Sequence, residues 1–164
     1  RSLRLGRRFS HVACPFNGLG HFASADDLGA FFTTVRAHLA PGGRFAFDVM
    51  IPDPRLLAGG ASSVPRLEHP RTGAICRLEE TYEYDALRQV LHVTSHLVER
   101  ETGRRQTLAL RLRQFFPEET RVLLAHHGFV VEERSEELGD SLAYVCAPAA
   151  GAGELPGHAP IQSP

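Results

Sequence analysis

Apolar residues follow two different periods along the first third of the chain. Residues 9–15 (FSHVACP) are short, mostly apolar and bounded by Pro15 and the Asn17-Gly18 turn signal, which predicts a buried strand. From Ser24 the period becomes helical: Leu28, Phe31, Phe32, Val35 and Leu39 recur on one face, Ser24 can cap the start, and Asp26 and Asp27 suit the positive end of the dipole. Pro41-Gly42-Gly43 should stop this helix, and residues 44–51 (RFAFDVMI) return to an apolar strand. A strand, a helix and a second strand joined by short loops require a right-handed crossover and parallel strands.

The remainder reads differently. Residues 52–73 are rich in Pro and Gly and predict a long connection. Three β-rich stretches follow, Cys76 to Tyr84, Gln89 to Glu99 and Thr107 to Phe115. In the third, Leu108, Leu110 and Leu112 alternate with Ala109, Arg111 and Arg113, and Thr102-Gly103 marks a tight turn before it, so an antiparallel meander with one solvated face is expected. Pro117, Glu118 and Glu119 open a second helix and Gly128 closes it, with Phe129 placed for the apolar contact beyond the cap. Phe129 to Glu133 and Leu142 to Ala147 predict two last strands, close enough across an acidic loop to pair antiparallel. Residues 149–164, rich in Ala, Gly and Pro without period, predict a disordered tail.

Composition narrows the chemistry. With 164 residues, 43% of them hydrophobic, and a formal net charge of -1, one globular domain with a real core is expected. All 18 basic residues are Arg, so a phosphate-loop Lys, a Schiff-base Lys and a Tyr-Lys dehydrogenase pair are excluded. Scattered Arg at near-neutral charge gives no nucleic-acid footprint. The three cysteines, Cys14, Cys76 and Cys146, are odd in number and far apart, which argues against a disulfide framework or a CxxC zinc or redox motif and for a reducing cytoplasm. No apolar run approaches the roughly 20 residues of a membrane span, and no leader is expected. His92 and His96 share a strand face about 13 Å apart by strand rise, too far to chelate one ion, so no metal site is expected. No Gly-x-Ser-x-Gly elbow occurs, and covalent hydrolase chemistry is unsupported.

Four segments in order, CPFNGLGHF (14–22), HLAPGGRFAFDV (38–49), FFPEE (115–119) and HHGFVV (126–131), carry a resemblance. Together they resemble the second half of class I S-adenosylmethionine-dependent methyltransferases of the small-molecule type, over roughly residues 1–148. The resemblance implies an α/β fold with strands four to seven of a Rossmann-like sheet, and an added antiparallel β meander at about residues 74–116. The family's opening strand, its Gly-rich turn and the acidic residue that binds the ribose have no counterpart, and Gly18-Leu19-Gly20 lacks the spacing to replace that turn. The edge of the first strand is therefore expected to be bare and to pair with a missing N-terminal half or with a second copy in a homodimer.

The resemblance implies S-adenosylmethionine as cofactor and a small-molecule acceptor. In open α/β sheets the ligand lies beyond the carboxyl ends of the strands, which selects residues 14–21 and 48–51. Cys14, Pro15, Phe16 and Asn17 would run beside the cofactor. His21 and Asp48 are the candidate catalytic groups, His21 as a proton acceptor and Asp48 as an orienter of an amine or a water, with a backbone hydrogen bond or loop cap as the plainer role of each. Tyr82 and Arg113, on the meander, are the candidate acceptor contacts. Methyl transfer is expected of the complete enzyme, and the isolated fragment is expected to lose it with the missing turn; the alternative function is a non-catalytic methyltransferase-like remnant that dimerises or binds a ligand.

Overall fold

A computed structural model describes residues 3–150 and contains two four-stranded sheets. The strands are β1 (Phe9–Cys14), β2 (Leu39–Met50), β3 (Gly60–Glu68), β4 (Ile75–Asp85), β5 (Val90–Glu99), β6 (Arg105–Arg113), β7 (Phe129–Ser135) and β8 (Ser141–Pro148). The helices are α1 (Ala25–His38), a short α2 (Pro54–Leu57) and α3 (Pro117–His126). Of the expected tail, 151–164 lie outside the described residues, while the Ala149 amide still donates to the Gly128 carbonyl at 2.9 Å.

The first sheet runs β1-β2-β8-β7, with β1 and β2 parallel and the pairs β2/β8 and β8/β7 antiparallel. The predicted parallel unit and the predicted closing hairpin are both present. Helix α1 forms as its period and cap require: the Ser24 hydroxyl accepts from the Asp27 amide, and Leu28, Phe32 and Val35 are buried. It ends at His38, and β2 starts at once. Pro41-Gly42-Gly43 is thus an irregularity inside the strand and not the break expected. Gly42 is left-handed (φ 72°), and the pairing register shifts between Phe9 and His11.

Alternation along β2 then builds the core. Phe45, Phe47 and Val49 point to one face, where Val12, Cys14, Leu142, Tyr144 and Cys146 join them under α1 and α3. Phe45 is fully buried and its ring meets those of Phe31, Phe32, Phe47 and Phe129. The opposite face of β2 carries Ala46 and Asp48 beside Ala13 and Ala143; Ala13 is exposed and the other three are half-buried.

The second sheet, β3-β4-β5-β6, is antiparallel throughout. The predicted meander therefore has a fourth strand. The connection expected over 52–73 instead holds α2 and β3, so the β-rich region begins at Gly60 and not near residue 74. Strand β3 escapes pattern reading because all but Leu67 of its residues are exposed and none alternate. It also contains Pro65, tolerated here because β3 is an edge strand whose register shifts between Val64 and Leu67.

Candidate functional site

The carboxyl ends of β1 and β2 lie side by side because the two strands are parallel and in register from His11/Arg44 to Cys14/Phe47. At the end of β1 the backbone turns through two consecutive left-handed residues, Phe16 (φ 58°) and Asn17 (φ 53°). Such values are uncommon for any residue but glycine, and for a bulky Phe they are costly. The turn is held from β2. Both oxygens of the Asp48 carboxylate accept backbone amides, Oδ1 from Phe16 at 2.6 Å and Oδ2 from Asn17 at 2.9 Å. The Asn17 Oδ1 in turn accepts the Met50 amide at 3.3 Å.

A 3-10 turn (Gly18–His21) follows, and its two glycines are required by close approach. A Cβ on Gly18 would meet the Cys14 Sγ at 2.5 Å, and one on Gly20 the Asn17 side-chain nitrogen at 2.8 Å. Asn17 is buried against this turn, but the Phe16 ring is 90% exposed. Met50 and Ile51, at the end of β2, are also exposed, giving an apolar rim around the loop. Burial, reinforced by the charge of Asp48, raises the Cys14 thiol above its ordinary range, so it stays protonated at neutral pH.

The structure thus gathers Cys14, Pro15, Phe16, Asn17 and Asp48 at one place. His21 closes the 3-10 turn with an exposed ring, facing a groove of about 830 Å³ between the free edge of β1 and α1. That groove is lined mainly by Leu5, Phe9, Val12, Phe22, Phe31 and Val35 and does not include the 14–17 loop.

Tyr82 and Arg113 are not part of this constellation in the same way. The Tyr82 hydroxyl sits between the Ser62 hydroxyl (3.0 Å) and Glu80 (2.8 Å), and Glu80 also accepts from Ser95 at 2.6 Å. Partial burial is the main cause that raises this phenol above its usual value. Arg113 bonds Glu119 of α3 at 3.2 Å and lies 5.6 Å over the Phe115 ring, tying the end of β6 to the helix. Its Nε and the second Glu119 oxygen are buried without a hydrogen-bond partner among the described residues. What sequence reasoning missed is the tie between Asp48 and the two amides, the glycine contacts and the Ser62-Tyr82-Glu80-Ser95 network. The spacing of Gly18 and Gly20 was the available signal for the second of these.

Among the described residues no helix is long and apolar enough to cross a membrane, and no group of three His, Cys, Asp or Glu converges on a point.

No protein-family model matches the chain. It is 33% identical over 97 residues to dTDP-3-amino-3,6-dideoxy-alpha-D-glucopyranose N,N-dimethyltransferase of Streptomyces fradiae, a match spanning 50% of this chain and 36% of that protein. The CcbJ methyltransferase from Streptomyces caelestis superimposes with a TM-score of 0.72 at 25% identity, over 91% of this chain and 61% of the other. CalS10, an amino pentose methyltransferase from Micromonospora echinaspora solved with S-adenosylmethionine bound, gives 0.70 at 18%, over 88% and 60%. The chain carries part of the fold of a class I S-adenosylmethionine-dependent methyltransferase, with an added antiparallel sheet. It spans about a third of the curated relative and about three fifths of these solved structures.

Proposed function

We propose that this chain contributes the donor-facing loops of an S-adenosylmethionine-dependent N-methyltransferase whose acceptor is a nucleotide-linked amino sugar. The observation that carries the reading is the parallel β1/β2 pair, whose carboxyl ends present a fixed loop and an apolar rim where open α/β sheets bind ligands. The acceptor class is taken from the Streptomyces fradiae relative.

The residues fit the cofactor in character. Phe16, Met50 and Ile51 offer exposed apolar surface for the flat adenosyl part, and Cys14, a neutral thiol, places no charge beside it. When bound, the cofactor supplies a methyl group already activated on a sulfonium. The protein then has to align the acceptor nitrogen, exclude water and take one proton from the amine. His21, exposed at the end of the 3-10 turn, is the residue proposed to accept that proton. Tyr82 and Arg113 are proposed to face the acceptor from the second sheet. The three free cysteines are in keeping with a reducing, cytoplasmic setting.

The edge of β1, unpaired among the described residues, and the alanine-lined face of the first sheet are proposed to be covered by further strands and helices of a longer protein. The second reading, a non-catalytic module, is favoured by that same edge if a second copy covers it. Transfer of labelled methyl from S-adenosylmethionine to a dTDP-linked amino sugar is the test. Transfer that is lost in His21→Ala supports the enzyme. No transfer by the protein containing this chain, together with a dimer that buries β1, supports the module.

A further inference from the structure

Asp48 stands at the end of β2 on the sparsely covered face of the first sheet, as its register opposite Ala143 requires. A carboxylate there has four lone-pair positions and would ordinarily be free to take a proton from an acceptor or to hold a water. Here each oxygen is already committed to an amide of the turn after β1, one of them at 2.6 Å. The two amides of this turn point at one carboxylate, and turns that gather successive N–H groups in this way bind anions in other proteins. In this chain the anion is internal: the neighbouring strand supplies it. The arrangement costs strain at Phe16 and Asn17, and what it produces is a bulky aromatic ring held out of the fold with almost its whole surface exposed.

Resting on the methyltransferase reading, we propose that Asp48 is a positioning residue that clamps the Phe16-Asn17 turn and so presents the Phe16 ring to the donor, rather than an acid or base in the reaction. Phe is a poor left-handed residue, so the turn relaxes once its anion is removed. The second tie, from Asn17 to the Met50 amide, is longer at 3.3 Å and leaves the Phe16 amide free to move.

The test uses amide spectra of the chain with and without S-adenosylmethionine. In the wild type, the Phe16 and Asn17 amide protons are expected to lie downfield and to exchange slowly, as donors to a charged acceptor do. In Asp48→Asn the protection of both amides from exchange is expected to fall roughly ten- to hundredfold, the loss of a charge-assisted hydrogen bond, and the donor to bind correspondingly more weakly. Donor binding by the wild type that Asp48→Asn leaves intact, with amide exchange at Phe16 and Asn17 unchanged, overturns the clamp and spares the methyltransferase reading. Amides that lose protection in Asp48→Asn, in a protein whose wild type takes up no S-adenosylmethionine, keep the clamp and overturn the donor site. Scalar couplings across the two hydrogen bonds, from the Phe16 and Asn17 amides to the Asp48 carboxyl carbon in the wild type, decide the first point even if the variant fails to fold: couplings present keep the clamp, and couplings absent overturn it.

Discussion

The two sheets are built from similar numbers of strands and are held by opposite means. In the first, one face of β2 and β8 is sealed under α1 and α3 by Phe45, Phe47, Val49, Leu142, Tyr144 and Cys146, and the buried core cluster belongs almost wholly to it. In the second, β4, β5 and β6 are tied by long antiparallel ladders, but only Cys76, Val90, Leu91 and Val93 are buried. Its apolar face, which includes Leu108 at 56% exposure and Val64 at 45%, is left open in places. The difference separates two tasks. A sealed face makes β1 and β2 a stiff platform whose ends can hold a strained loop, whereas an open one makes the meander a surface for contact with something else.

Truncation should divide the sheets most sharply. Phe45→Ala is expected to cost about 3–5 kcal/mol in a denaturant titration, because a fully buried ring leaves a cavity among four others. Leu108→Ala should change stability by no more than about 0.5 kcal/mol. Equal losses would erase the distinction drawn between the sheets. Next in size, Gly18→Ala should destabilise by about 1–3 kcal/mol through the Cys14 Sγ contact. Much of that cost should vanish in a Cys14→Ala background, and a double-mutant cycle without coupling would show that the turn tolerates a side chain. Ser24→Ala should remove about 1 kcal/mol from α1, read by the same titration.

Two titrations sharpen the comparison further, with smaller effects. Cys146, buried in the first sheet, is pushed up to about 12 by burial first and by Glu132 second. The folded state therefore keeps a proton that the unfolded chain loses near 9, and the stability this provides is complete below that pH and falls away as pH rises toward 12. Cys146→Ala should flatten that alkaline decline. His127 stacks on Phe32 with ring centres 4.6 Å apart, and burial, then the neighbouring His126, holds its imidazole below the ordinary value of 6.5. The unfolded chain takes up the proton first, so stability present above 6.5 is lost as pH falls, and His127→Gln should lessen the loss.

Much of the first sheet was legible because its residues obey simple periods. Leu28, Phe32 and Val35 mark the face of α1, Ser24 its start, and Phe45, Phe47 and Val49 the buried side of β2. Strand β3 was not legible, since in an exposed edge strand with Pro65 the two large apolar residues, Val64 and Leu67, fall three apart and show no alternation to read. In the site, position at the ends of parallel strands selected residues 14–21 and 48–51, and the resemblance singled out Pro15, Phe16 and Asn17 among them. Their arrangement was hidden: nothing in a Pro-Phe-Asn run announces a left-handed Phe, and the anion that stabilises it lies 32 residues away. Tyr82 and Arg113 were visible as chemical groups, but their partners Glu80 and Glu119 are set by tertiary packing.

The central claim is that the ends of β1 and β2 form the donor site. Mapping amide shifts of the chain on addition of S-adenosylhomocysteine tests it most directly. The account predicts changes concentrated at residues 14–17 and 48–51, with the second sheet unaffected. Changes confined to β3 through β6, or spread evenly over the surface, would contradict it.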